Sequence, residues 1–202
     1  AQMGMKTLIV DADLRKPVQH SLFGFKKEPG LIDGLGNGHL QDDLLKKTEV
    51  DNLWLLPCGS IPPNPSELLG SKAMKNLQQN LLEEFDYIFY DTPPVIAVTD
   101  AVVLSTIVDS LALIIKFGST AAQSVNHATN LLKQVNTNVA GVILNSVDIQ
   151  SRYGSYDYYT YYHYYYSRYG KYGRYGGYGY GVDGSEEESK AKQKKKAMKD
   201  KK

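Results

Sequence analysis

The sequence predicts an α/β domain with a doubly wound, mostly parallel sheet, followed by a tail that has no core of its own. Three observations predict it. Apolar runs of strand length alternate with stretches of helical spacing, the order that produces parallel sheets covered by helices. Two of those runs, Leu8-Ile9-Val10 and Tyr87-Ile88-Phe89-Tyr90, lead directly into Asp11 and Asp91, at the strand ends where open α/β sheets bind ligands. The composition then breaks at Ser151. Residues 153–180 hold 14 of the 16 tyrosines and almost no aliphatic side chains, too little apolar surface to offset chain entropy, so disorder is expected there.

The first strand, Leu8 to Val10, is a short apolar run of the kind that is buried on both faces. Asp11 and Asp13 follow two residues apart, so both carboxylates can point into one crevice beyond the strand. Two acids there repel each other unless a cation is near, and magnesium is the hard cation that suits carboxylates, water and phosphate oxygens. Arg15 and Lys16 would face phosphate. The bland alternative for Asp-x-Asp is a helix cap or a turn. From Val18 to Asp51 the pattern is irregular, with apolar clusters at Leu22-Phe23, Leu31-Ile32 and Leu44-Leu45, and short helical turns are expected. Gly34-Leu35-Gly36-Asn37-Gly38 follows no strand and opens no helix, so it reads as a turn and not as a nucleotide-binding loop.

Asn52 to Leu56 is the next strand. Pro65 then opens helical spacing at Leu68, Leu69, Met74, Leu77, Leu81 and Leu82, with Ser71 placed to cap a second helical piece. The strand from Glu84 to Tyr90 stops at Asp91-Thr92-Pro93-Pro94, because proline cannot continue in a central sheet. Thr99 or Asp100 caps a helix through Ile107. Ser110 to Phe117 is a strand, Ser119 to Asn136 a helix, and Val139 to Leu144 a last strand ending at Asn145.

With 202 residues and 42% hydrophobic content, the chain can bury one sizeable core and still carry a tail. The net charge of +1 conceals an asymmetry. Residues 1–150 carry 11 Lys and Arg against 16 Asp and Glu, whereas residues 151–202 carry 12 against 6, so an acidic body bears a basic tail. The single cysteine, Cys58, cannot form an internal disulfide, which fits a reducing cytoplasm; beside Leu56-Pro57 it reads as a packed thiol rather than a nucleophile. No aliphatic run approaches the roughly 18 residues that cross a bilayer. None of His20, His39, His127 and His163 has a neighbour at zinc-ligand spacing, and His20 is expected to be a solvated loop histidine.

Val10-Asp11-Ala12-Asp13-Leu14-Arg15-Lys16-Pro17 resembles the second Walker motif of the bacterial tyrosine kinases of capsular and exopolysaccharide biosynthesis, and Tyr90-Asp91-Thr92-Pro93-Pro94 resembles their Walker B motif. Phe23-Gly24, Gly30-Leu31, Leu56-Pro57, Pro62-Pro63-Asn64-Pro65-Ser66-Glu67-Leu68-Leu69, Val98-Thr99-Asp100-Ala101 and Gly141-Val142-Ile143-Leu144-Asn145 are similar to the family in the family's order. The resemblance implies a sheet of the P-loop NTPase type in residues 1–150, an autophosphorylation tail in 151–182 and a charged, Lys-rich tail in 183–202. It implies ATP and Mg2+ as cofactors, with Asp11 and Asp91 holding magnesium and Asp11 or Asp13 orienting or deprotonating the acceptor hydroxyl. Arg15 would contact phosphate and Asn145 would lie near the adenine. The phosphoacceptors would be Tyr153, Tyr156, Tyr158, Tyr159, Tyr161, Tyr162, Tyr164, Tyr165, Tyr166, Tyr169, Tyr172, Tyr175, Tyr178 and Tyr180.

The same resemblance implies a ring-shaped homo-oligomer, a transmembrane adaptor of the polysaccharide co-polymerase type or an N-terminal membrane domain, and a protein-tyrosine phosphatase as partners. It places the protein at the cytoplasmic face of the cell membrane, where Lys190 to Lys202 would meet anionic lipid. One departure is severe. The family's first Walker motif, Gly-x-x-x-x-Gly-Lys-Ser/Thr, does not occur in residues 1–202, and Ala1-Gln2-Met3-Gly4 resembles the end of the helix that follows it. The chain is therefore expected to be the C-terminal part of a kinase, inactive alone, and prone to aggregate where the phosphate-loop strand would lie inside the sheet. A partitioning-type ATPase would share the Asp11 and Asp91 motifs but has no need of a tyrosine tail. A non-catalytic protein whose tyrosines and Arg152, Arg168 and Arg174 stack on single-stranded nucleic acid, or drive assembly, is the third reading; nucleic acid is the less favoured partner.

Overall fold

β1, Thr7–Asp11, is an inner strand of a four-stranded sheet in the order β2-β3-β1-β4, and its apolar run explains the position. Leu8 and Val10 have no exposed surface. The computed structural model describes residues 1–37 and 43–147, which belong to one unit. Its other elements are α1 (Gln19–Leu22), α2 (Leu31–Asn37), β2 (Lys46–Lys47), β3 (Leu53–Leu56), α3 (Pro65–Leu69), α4 (Lys72–Glu84), β4 (Tyr87–Asp91), α5 (Asp100–Leu104), β5 (Leu111–Lys116), α6 (Ala122–Gln134) and β6 (Val139–Asn145). The alternating α/β order and the parallel pairing match the sequence expectation. β1 runs parallel to both β3 and β4, and β5 parallel to β6 in a second, two-stranded sheet. The short β2, antiparallel at the edge of β3, has no counterpart in the sequence reading, because two lysines carry no strand pattern.

The core joins β1 to the helices that follow. Leu8 and Val10 pack in one cluster with Leu56, Leu69, Met74, Leu77, Leu81 and Leu104, the apolar faces of β3, α3, α4 and α5. α3 starts at Pro65, whose missing N–H costs nothing in the first turn. Ser71 caps α4 as its position predicts, its Oγ accepting from the Met74 N–H at 3.1 Å. α5 ends earlier than expected, and turns through Thr106 and Ile107 replace its last residues.

One expectation is overturned. Gly34-Leu35-Gly36-Asn37 lies in α2 and not in a turn. Two glycines weaken a helix by about 1 kcal/mol each relative to alanine, yet Leu31 and Leu35 are buried one helical turn apart, and that packing outweighs the propensity. Gly34 is also where the chain passes close to Leu44, 2.9 Å from where a Cβ would stand.

The outer strands are poorly covered. Tyr87 and Phe89 of β4 are 54% and 59% exposed and stack on each other at 6.5 Å, and every residue of β6 is exposed, including Val142, Ile143 and Leu144. Among the described residues β4 is an edge strand. No helix among them is long and apolar enough to cross a membrane. The tyrosine cluster, the phosphoacceptor positions and the lysine run expected from the sequence lie outside the described residues.

Candidate active site

Asp11 and Asp91 are register partners at the carboxyl ends of β1 and β4, and the Ala12 N–H donates to the Asp91 carbonyl at 2.9 Å. The two expected metal ligands are thereby brought side by side. Asp11 is fully buried; Asp91 is half-buried. One Asp11 oxygen, Oδ2, accepts from the Gln19 N–H at 3.0 Å, while Oδ1 is buried with no hydrogen-bond partner among the described residues. Burial pushes the Asp11 carboxyl above the usual carboxylate range; the Gln19 N–H opposes this, and repulsion from Asp91 and Asp13 adds to it. A buried acceptor left bare beside a second carboxylate fits a divalent cation bound by hard oxygen donors, and magnesium commonly takes only one or two carboxylates, with water and phosphate completing its shell. No larger metal-ligating group of three or more side chains exists among the described residues.

Asp13 lies two residues on and is half-buried. Its Oδ1 accepts from the Arg15 and Lys16 N–H groups at 3.1 and 2.9 Å, which folds the loop back on itself. Arg15 turns away from the carboxylates. Its Nε and one terminal nitrogen donate to the two oxygens of Asp100 at 2.9 and 3.0 Å, and the Asp100 side chain has no exposed surface. Ser66 Oγ donates to the same carboxylate at 2.5 Å, and Thr99 Oγ1 donates to Ser66 Oγ at 3.1 Å. The expected phosphate contact is thus part of a network that ties the loop after β1 to the starts of α3 and α5. Asn145 stands at the end of β6, on the other sheet, where its Oδ1 accepts from the Ser146 N–H at 2.7 Å.

Cys58 is the packed thiol that its sequence position predicts. Burial, with Asp11 next in effect, pushes its pKa up to about 12, so it stays protonated and is no nucleophile. His20 differs from expectation. It is half-buried on α1, with Nδ1 buried and without a hydrogen-bond partner among the described residues, because α1 folds back toward Asp11. Sequence reasoning also missed Gln19 and the Ser66–Asp100 contact. Asp100 stood out in the sequence as a helix cap and within the family-like Val98-Thr99-Asp100-Ala101 segment, neither of which points to Arg15 or Ser66, and nothing local marks Gln19, whose side-chain partner is 72 residues away.

Adjacent strand-end carboxylates on a parallel sheet wound with helices define the class: the fold is that of P-loop NTPases. The septum site-determining protein MinD of Pyrococcus horikoshii, solved with Mg-ADP, shares that fold at a TM-score of 0.57 and 22% identity, covering 77% of this chain and 61% of that one. No family model matches the chain. CapB of Staphylococcus aureus is 40% identical over 156 residues, 77% of this chain and 68% of that protein. Tyrosine-protein kinase YwqD of Bacillus subtilis is 36% identical over 158 residues, 77% of this chain and 67% of that protein. The kinase domain of the Escherichia coli tyrosine kinase ETK superposes with a TM-score of 0.66 at 30% identity, covering 76% of this chain and 62% of that one. The chain belongs to the bacterial tyrosine-protein kinase family. It spans about two thirds of its shorter curated relatives and 21% of a longer one.

Proposed function

We propose that this chain serves an ATP-dependent protein-tyrosine kinase that phosphorylates its own C-terminal tyrosine cluster and thereby regulates capsular or exopolysaccharide synthesis. The observation that carries this is the unpartnered, buried Asp11 Oδ1 beside Asp91. Asp11 and Asp91 hold magnesium, which neutralises charge on the nucleotide's phosphates when bound. Asp13 is the more accessible proton acceptor of the loop pair. It is less buried than Asp11, and its Oδ2 makes no hydrogen bond among the described residues, so it is free to take a tyrosyl proton. The tyrosyl oxygen then forms its bond to the γ-phosphorus as the bond to the ADP oxygen breaks.

Arg15 is engaged with Asp100 through Nε and one terminal nitrogen, so its first role is to hold the Asp13 loop, and its other terminal nitrogen, which makes no hydrogen bond among the described residues, is the one that would face phosphate. Asn145 as an adenine contact rests on the family resemblance alone. The basic tail is drawn to an acidic body of a neighbouring copy, in a ring held at the inner membrane face by a transmembrane adaptor and reset by a tyrosine phosphatase. Each phosphotyrosine adds about −1.5 to −2 charges, so about four cancel or invert the tail's charge and release it.

The test is magnesium-dependent ATP binding by calorimetry and tyrosine phosphorylation by mass spectrometry. Both are measured on residues 1–202 and on the same chain extended upstream by a strand, a Gly-x-x-x-x-Gly-Lys-Ser/Thr loop and a helix. Activity in the extended chain alone is expected, because the Gly-x-x-x-x-Gly-Lys-Ser/Thr loop that cradles the β- and γ-phosphates does not occur in residues 1–202. Activity in neither sinks the kinase reading.

A further inference from the structure

Gln19 touches both strand-end carboxylates at once. Its backbone N–H donates to Asp11 Oδ2 at 3.0 Å, and its side-chain Nε2 donates to Asp91 Oδ2 at 2.6 Å. An ionised carboxylate only accepts, so the amide must turn its NH2 group, not its oxygen, toward Asp91. The contact is short, as hydrogen bonds to charged acceptors are. Gln19 therefore delivers two donors to two anions on neighbouring strands, the same electrostatic service that a bound cation would perform there.

We propose that the Gln19 amide, by neutralising Asp91, competes with the cation for that carboxylate and leaves when the cation binds, so that this residue sets the site's magnesium affinity. The proposal rests on the reading of Asp11 and Asp91 as metal ligands. The geometry favours a competitor over a ligand. The amide nitrogen sits on one of the two Asp91 oxygens, Oδ2, and the partial positive charge of its N–H groups repels a cation placed between the carboxylates. Removal of the amide is compatible with an intact site, since the backbone N–H that fixes Asp11 belongs to the main chain and survives any substitution but proline. The side chain has three rotatable torsions and can swing clear while α1 stays in place.

Manganese, a paramagnetic stand-in for magnesium, is titrated into the full chain without nucleotide and followed by electron paramagnetic resonance. The variants are Gln19→Met, which keeps the volume without the donor, and Gln19→Asn, whose shorter amide cannot reach Asp91. Both are expected to bind Mn2+ about tenfold more tightly than the wild type, the equivalent of losing one competing hydrogen bond to a charged group. In EDTA both melt below the wild type, and Mn2+ raises their melting temperature by more. Unchanged affinity overturns the role of Gln19 and leaves the metal site standing. Weaker binding also overturns it and makes Gln19 a ligand through Oε1. Asp91→Asn separates the two readings: if no protein binds Mn2+, or if binding survives Asp91→Asn, the metal site itself falls and the Gln19 proposal with it.

Discussion

Asp11, the proposed magnesium ligand, opposes stability. Its ionised form is buried, half-satisfied and flanked by Asp91 and Asp13, all of which raise the cost of its charge. Asp11→Asn keeps an oxygen for the Gln19 N–H and places an NH2 group near Asp91. Urea unfolding in EDTA at pH 7 should show a gain of about 1 kcal/mol, with metal binding lost; a loss of stability would mean that the bare oxygen carries no cost. Asp100 works in the opposite direction. Burial alone would raise its pKa, but the hydrogen bonds from Arg15 and Ser66 outweigh it and hold the carboxyl below its ordinary value. A depressed folded pKa gives stability that is present above the unfolded value of about 3.9 and is lost as pH falls through the folded value. Asp100→Asn is expected to cost on the order of 1–2 kcal/mol at pH 7 through its weakened buried hydrogen bonds. That difference should shrink below about pH 4. Unfolding curves at pH 7 and pH 3 that show the same difference would contradict the account.

Among the elements, the loop before α2 depends on Gly30. Around it the Leu31 and Ile32 N–H groups donate to the carbonyls of Pro57 and Cys58 at 2.7 and 3.0 Å, and the Gly59 N–H donates to the Lys27 carbonyl at 3.1 Å. A Cβ on Gly30 would stand 2.3 Å from the Pro57 carbonyl oxygen and 2.4 Å from the Gly59 nitrogen, both main-chain atoms. Gly30→Ala must separate the segments and break these bonds, so a loss of about 3 kcal/mol is expected. At Gly36, near the end of α2, no described residue comes within 4 Å of the same position. Gly36→Ala should stabilise by about 0.5–1 kcal/mol, because alanine loses less backbone freedom in a helix. Chemical denaturation of the two variants side by side checks both signs. Two gains, or two losses, would mean that the contacts at Gly30 or the helix at Gly36 are wrong.

At the scale of the molecule, the uncovered strands decide behaviour in solution. Tyr87 and Phe89 on β4, Ile114 on β5 and Val142 and Leu144 on β6 are each more than half exposed. Edge strands with exposed apolar side chains are templates for pairing with other chains. Residues 1–202 are expected to self-associate with rising concentration in light scattering, and Phe89→Lys with Val142→Lys to reduce that association without lowering the melting temperature. A monodisperse monomer at high concentration would remove the argument.

Local sequence was enough to mark every strand but the two-lysine β2, where β1 and β4 end, that Pro65 and Ser71 start helices, and that Asp11 and Asp91 stand at strand ends. These follow from side-chain periodicity, proline sterics and capping, which act over a few residues. Tertiary structure alone decided that β1 lies between β3 and β4, so that Asp11 stands beside Asp91. It also decided that Leu31 and Leu35 are buried deeply enough to make a helix of a glycine-rich segment. Gln19 bridges to a carboxylate 72 residues away, and Arg15 pairs with one 85 residues away. Contacts of that separation are fixed by strand order and loop closure, which no local pattern encodes.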